Sequence, residues 1–455
     1  MIKNYRIIII ILILALLPIG CKVGPKYDRP DMANNPQKYQ NQAADAKIND
    51  SVANVKWFDI FDDPVLKELI QKGLDNNYDL KIAIARIEQS KAVLGITKAD
   101  LLPNIGYSGQ INSKETIALN TNLVATMSWE LDFWGKVRHE TGALRSELLA
   151  SEESRKVIVS SLVAEIAATY FQLRDYDNRL IIAQRTIESR KKSDEIIGQR
   201  FEKGYVSQLD KVQVEQQVAI AEGTLQQIKR AITLLENSLN VLTGQMPGTI
   251  PRGKWNYEQT VTTQIPVALP STLLENRPDV KRSELDYIAA NERIGVAQAM
   301  RFPSFNIAAF AGFASPDISK VFDSGSYIQN VGGGVFGPLF NFGKNKQRVV
   351  LNRQIAEETK LNYQKTILTA VAEVENSLVT VDTYNEEWNA AFRQTESAKT
   401  YLKLSLSRYD NGYTSYLEVL DAERSLFESE LNLSLLSEKK LSSVMQLYKA
   451  LGGGW

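Results

Sequence analysis

The chain has 455 residues, 44% hydrophobic and 23% charged, enough for a large buried interior. Lysine plus arginine and aspartate plus glutamate each number 53, so charge points to neither nucleic acid nor a strongly acidic partner. A single cysteine, Cys21, and a single histidine, His139, exclude an intrachain disulfide, a thiolate metal site and most histidine-based catalysis.

The first element is a secretory signal, expected over residues 1–20. Lys3 and Arg6 form its basic region, Ile7 to Leu17 its apolar stretch, and Gly20 precedes Cys21. A cysteine directly after the cleavage point resembles a bacterial lipobox, in which the thiol receives lipid, although Pro18 stands where such signals commonly carry leucine. Lys22 rather than aspartate follows, which in lipoproteins favours passage to the outer membrane. One acyl anchor alone binds weakly, so a second membrane element is needed for firm attachment.

Downstream, the chain reads as one unit written twice. Arg200-Phe-Glu-Lys-Gly204-Tyr205 aligns with Arg408-Tyr-Asp-Asn-Gly412-Tyr413 at a spacing of 208, as do Trp134-Gly135-Lys136 with Phe342-Gly343-Lys344. Upstream the spacing is 200, with Asp79, Gly95 and Pro103 matching Asp279, Gly295 and Pro303. The change requires an insertion, placed in the polar stretch Ser315 to Ser326, as an external loop.

Each copy predicts the same elements. A short helix ends at Pro103 in the first copy and at Pro303 in the second. A β-hairpin follows, at about 104–134 and about 304–342. In Leu123 to Phe133 the odd positions are apolar and most even ones polar, as in a strand with lipid on one face and water on the other. Phe305, Ile307, Ala309, Ala311 and Phe313 share one face, while Tyr327 to Phe340 is Gly-rich and weakly patterned. These segments alone equally suit a half-buried hairpin in a soluble sandwich. Long helices are then expected at about 137–203 and about 345–411, each roughly 100 Å. They end at turns marked by Gly204 and Gly412, with Ser207 and Ser415 as N-caps. Return helices occupy about 208–242 and about 415–451. The first carries a coiled-coil seam, Val214, Val218, Ala221, Leu225, Ile228, Ile232, Leu235, Leu239 and Leu242. The second has Ser429, Lys440 and Ser443 in that register, so it packs against different neighbours or more loosely. Residues 21–77 and 243–277 are assigned to an N-terminal and a linking part of an equatorial region, and 78–242 and 278–455 to the two repeats. Within the equatorial parts Trp57 and Trp255 are expected in a core, and His139 on a polar helix surface.

Several stretches resemble a known family: Cys21-Lys-Val-Gly-Pro-Lys-Tyr-Asp-Arg-Pro30, Leu131-Asp-Phe-Trp-Gly-Lys-Val-Arg138, Asn276-Arg-Pro-Asp-Val280, Arg301-Phe-Pro-Ser304, and Tyr409-Asp-Asn-Gly412 through Tyr416-Leu-Glu-Val-Leu-Asp-Ala-Glu-Arg424. In this order they are similar to the lipoprotein outer-membrane factors of the TolC/OprM/NodT type. The resemblance implies a mainly α fold with a transmembrane β-barrel: a homotrimer whose 12-stranded β-barrel continues as a long periplasmic α-helical barrel. It further implies a passive exit duct for small molecules (drugs, toxic compounds or metal ions). The implied partners are a periplasmic adaptor protein, an inner-membrane transporter of the resistance-nodulation-division class and outer-membrane lipid, with no nucleic acid. A type I protein-secretion duct shares this architecture and is the alternative; a coiled-coil surface lipoprotein is the non-transport alternative.

The resemblance places a periplasmic aperture at Leu417 and Asp421, with Glu418 one turn from Asp421. Leu209 and Asp210 are the first-copy counterparts of Leu417 and Glu418, and Gln213 replaces Asp421. Converging Asp421 side chains would favour cations. The tips at Gly204, Ser207, Gly412 and Ser415 are where an adaptor would dock. The sequence holds no Gly-rich phosphate loop, metal-ligand cluster or Ser/His/Asp arrangement, so neither enzymatic activity nor a cofactor or metal is expected.

Overall fold

The computed structural model describes residues 22–30, 57–114, 117–259 and 276–455. The signal segment and the lipidation candidate Cys21 lie outside the described residues, as do parts of both equatorial segments. In chain order the helices are α1 (Pro64–Asn76), α2 (Tyr78–Ala99), α3 (Lys136–Glu202), α4 (Gln208–Leu242), α5 (Pro278–Ala299), α6 (Lys344–Asp410) and α7 (Tyr416–Ala450). The strands are β1 (Asn104–Lys114), β2 (Ile117–Leu131), β3 (Ser304–Ser315) and β4 (Tyr327–Phe336).

The duplication is visible in the element lengths. Helices α2 and α5 each have 22 residues, α3 and α6 each 67, and α4 and α7 each 35. The strands differ more, and the β3–β4 connection carries two short 3-10 turns, Ile318–Lys320 and Ser324–Ser326, in the polar stretch assigned to the insertion. The chain divides into two compact units.

The first unit comprises Met1–Ala33, Ile84–Ser154 and Asp279–Thr366, and holds the sheet. Its four strands run antiparallel in the order β1-β2-β3-β4, so the two hairpins form a single sheet. Residues opposite one another in an antiparallel pair share a face. Leu123 faces Phe313, Ala125 faces Ala311, Met127 faces Ala309, Trp129 faces Ile307 and Leu131 faces Phe305. The outer strands extend that face, with Ile105 opposite Met127 and Val331 opposite Ala309. One apolar surface therefore crosses all four strands. Ile105, Tyr107, Leu123, Val331 and Val335 on it are exposed, which removes the sandwich reading, since a sandwich would bury this face under a second sheet. Strand β4 ends earlier than the pattern to Phe340 indicated. Gly337 packs against Pro303, and Pro338 has no N–H with which to continue the ladder.

At the end of the sheet β2 leads through Phe133, Trp134 and Gly135 into α3. Trp134 stacks on Phe302 with centroids 4.4 Å apart and donates its indole N–H to the Pro303 carbonyl at 2.8 Å. Asp132 closes the turn by accepting from the Val137 and Arg138 backbone N–H groups and from the Arg138 side chain. His139, one turn into α3, corrects the sequence expectation. It is 3% exposed, with Nδ1 2.5 Å from Glu292 Oε2 and Nε2 3.0 Å from the Val23 carbonyl. The charged neighbours that suggested a surface position face elsewhere; Arg138, for example, is tied to Asp132.

The second unit comprises Asn34–Ala83, Arg155–Pro278 and Ile367–Trp455. Fully buried Asp63 caps α1 by accepting from the N–H groups of Val65 and Leu66, and also accepts from Tyr170, the Lys254 N–H and the Gln259 amide. Arg174 lies 3.9 Å over the Trp255 ring and donates to the carbonyls of Gly253 and Lys254 and to Asp177. Trp255 and Trp57 are half-buried rather than core residues; Trp255 is a platform for the guanidinium.

The α4 seam buries Val214, Ala221, Ile228 and Leu239, with Ile228 packing among Ile182, Ala183 and Phe427. Its counterpart α7 is not the looser copy. It buries residues along its whole length from Tyr416 to Ala450. Its serine register positions are accommodated by hydrogen bonds: Ser443 donates to the Lys440 carbonyl, and Ser429 donates to the Leu426 carbonyl. The difference between the copies is one of neighbours.

Candidate functional site at the helix tips

The turns between α3 and α4 and between α6 and α7 have the same construction. Gly204 has φ 76° and Gly412 φ 75°, left-handed values that end a helix without the clash a Cβ introduces. At the first tip the Tyr205 N–H reaches back to the Arg200 carbonyl; at the second the Tyr413 N–H reaches the Arg408 carbonyl. The caps then diverge. Ser207 and Asp210 form a reciprocal capping box on α4, whereas Ser415 makes no side-chain cap bond on α7. In its place Glu418 accepts from Thr414 Oγ1 at 2.6 Å and pairs with Arg408 at 3.4 Å.

The structure brings the two tips together through an apolar cluster. Ile197 and Val214 from the first copy pack with Tyr416, Val419 and Leu420 from the second, and Val206, Leu402 and Tyr409 border them. Arg200 hydrogen-bonds the Tyr409 hydroxyl and lies over its ring, and Tyr409 meets Tyr416 edge-on. With this core fixing the backbone, Leu209 and Leu417 point outward and are 67% and 54% exposed. Tyr205 and Tyr413 are exposed beside them. Both tips thus present an apolar residue followed by a carboxylate, at Leu209-Asp210 and Leu417-Glu418.

Asp421 has a partner on its own helix. Its Oδ1 accepts from Arg424 Nη2 at 2.6 Å, and Tyr401 approaches Oδ2 at 3.4 Å. Burial first, and the adjacent Asp421 charge second, push the Tyr401 hydroxyl above its ordinary pKa, so it stays a donor. Each Asp421 therefore carries its own counter-charge, one helical turn away on the same helix.

Behind the tips lie two buried ionisable residues that sequence reasoning missed. Arg190 is 1% exposed, donates to the Gln217 carbonyl at 2.7 Å and lies 5.2 Å over Phe427. Glu423 is also buried, and burial raises its carboxyl against the lowering effect of the Arg190 charge. Glu423 belongs to the motif Tyr416 to Arg424, but Arg190 corresponds to Ala398 in the other copy, so the repeat gave no signal for it. Among the described residues no cluster of histidine, cysteine or carboxylate side chains could hold a metal ion.

Comparison with known proteins agrees with this architecture. The toluene efflux pump outer membrane protein TtgI of Pseudomonas putida is 32% identical over 97% of each chain. The cation efflux system protein CusC of Escherichia coli is 30% identical over 97% of this chain and 98% of its own. The structure of the outer-membrane channel OprN superposes with a TM-score of 0.87, at 26% identity, over 96% of this chain and all of that one. The outer membrane efflux protein family model matches twice, at residues 69–245 and 269–453, once for each copy of the repeat, and the chain belongs to that family.

Proposed function

We propose that three copies of this chain assemble into a passive outer-membrane duct that carries small molecules delivered by a periplasmic adaptor and an inner-membrane transporter. The observation that carries the assembly is the single apolar face spanning four strands, with β1 and β4 at the edges of the sheet. In a bilayer an edge strand leaves a row of backbone groups without partners, so the sheet must close on other copies. Three protomers of four strands supply the 12-stranded barrel. As an outer membrane efflux protein the chain resides in the outer membrane.

The same reading assigns the remaining candidates. Cys21 carries lipid; Leu417 and Asp421, flanked by Glu418, Leu209 and Asp210, form the resting constriction; and the turns at Gly204, Ser207, Gly412 and Ser415 receive the adaptor. Relatives named for toluene and for cations share this framework, which fits a duct whose cargo is chosen upstream. The test is native mass spectrometry of the detergent-extracted protein with planar-bilayer recording. Trimers that form ion-conducting pores are expected. A monomer without conductance refutes the assembly, and an intact mass lacking acyl chains on Cys21 refutes the anchor.

A further inference from the structure

The segment Lys22–Pro30 is held in the first unit at two points. Near its start Lys22 Nζ pairs with Glu292 at 2.9 Å, the Val23 N–H donates to the Trp134 carbonyl at 3.3 Å, and the Val23 carbonyl meets His139 Nε2 at 3.0 Å. Further along, Tyr27 donates to Glu284 at 2.8 Å and Arg29 pairs with the same carboxylate at 2.9 Å.

Both ring nitrogens of His139 face oxygen acceptors. A carbonyl oxygen only accepts, so Nε2 must carry a proton to bond Val23. Glu292 at Nδ1 is also an acceptor. Burial raises its carboxyl, but hydrogen bonds from His139 and Lys22 outweigh this and hold it below the usual range. A neutral imidazole has one N–H and satisfies one of the two; only the imidazolium satisfies both. The charged groups around the ring are Glu292 on α5, Lys22 on the segment, and the neighbouring pairs Arg138–Asp132 and Arg293–Glu147.

The packing is shaped to the ring. A Cβ on Gly24 would lie 2.9 Å from the imidazole Cε1, and one on Gly295 would overlap the ring outright. Gly95, the counterpart of Gly295, faces open space, and Gln347 occupies the position matching His139. The second copy, with Gln347 at the matching position, lacks this arrangement.

We propose that His139 is a proton-dependent latch that fastens the segment following Cys21 onto α3 and α5 as imidazolium and loosens it at Val23 as neutral imidazole. The latch is closed at low pH and opens as pH rises.

The lone histidine makes the test direct. Full-length protein in lipid, labelled with ¹⁵N-histidine, gives the ring signals of His139 alone, and trypsin cleavage after Lys26 reports release of the segment. At the acid end of the series both ring nitrogens are expected to carry protons. On raising pH one proton is lost, and cleavage accelerates about tenfold relative to a denatured control. Glu292→Gln should abolish this pH dependence, because a glutamine amide donates to Nδ1 and leaves the proton of the neutral ring on Nε2, bonded to the Val23 carbonyl. A neutral ring at low pH with Lys26 still protected overturns the latch, as do coincident wild-type and Glu292→Gln cleavage profiles. If Glu292→Gln does not fold, the wild-type ring signals decide alone. None of these readouts depends on whether Cys21 carries lipid.

Discussion

Replacing Asp421 with asparagine isolates the charge at the proposed constriction. In the wild type Asp421 and Arg424 pair at 2.6 Å with side chains 47% and 58% exposed, so each protomer contributes almost no net charge there. An ion pair this open is worth about 0–1 kcal/mol, and its loss should leave folding nearly untouched. The field at the tip changes far more. Three arginines lose their partners, and in water a unit charge about 4 Å away acts with about 1 kcal/mol. That term opposes cations and favours anions, so their permeability ratio should move by on the order of tenfold toward anions in ~0.1 M salt, where the screening length is about 10 Å. The assay is the reversal potential of single trimers under a salt gradient. Adding Arg424→Gln removes the stranded charge and should return the potential most of the way to its wild-type value. A reversal potential that stays unchanged in Asp421→Asn places this residue away from the conducting path and refutes the constriction.

Other substitutions probe the scaffold. Asp63→Ala removes an N-cap worth about 1 kcal/mol and leaves Tyr170, the Lys254 N–H and the Gln259 amide without their acceptor. A loss of roughly 3–5 kcal/mol is expected in denaturant melts, and a loss below about 1 kcal/mol contradicts the node. Gly412→Ala meets open space and pays only for its left-handed backbone, about 1 kcal/mol, seen as a small fall in melting temperature. Asp175 lies 2.8 Å from Arg179 and 2.5 Å from Ser434, yet burial dominates and raises its carboxyl above the ordinary value. A carboxyl raised in the folded state contributes stability below its unfolded pKa of about 3.9 that is lost as pH climbs through the folded value. Asp175→Asn should therefore flatten the acid side of the stability profile and be no less stable than wild type at neutral pH. Parallel profiles for the two proteins would contradict this.

The features legible in the sequence are those that repeat or keep a strict period. The long helices announced themselves through proline-free runs between Gly135 and Gly204 and between Gly343 and Gly412, and the membrane face through alternation in β2 and β3. Two kinds of feature stayed hidden. Pairings between distant segments, such as His139 with Glu292 and Arg185 with Glu430, join residues whose local surroundings look solvated. The burial of α7 was also opaque, because serines such as Ser434 and Ser443 enter a packed interface once backbone or carboxylate oxygens satisfy their hydroxyls. Weak patterning in β4 has a plain cause: Gly332, Gly333 and Gly334 carry no side chain to alternate.

The equal helix lengths in the two copies bear on how this protein can be engineered. One residue added inside Lys344–Asp410 rotates everything beyond it by about 100° and turns buried positions such as Tyr363 and Ile367 away from their contacts. The connection between β3 and β4 already holds more residues than that between β1 and β2 while the helices of both copies keep the same lengths. An affinity tag or displayed peptide therefore belongs between Ser315 and Tyr327, where added chain leaves every helical register as it is.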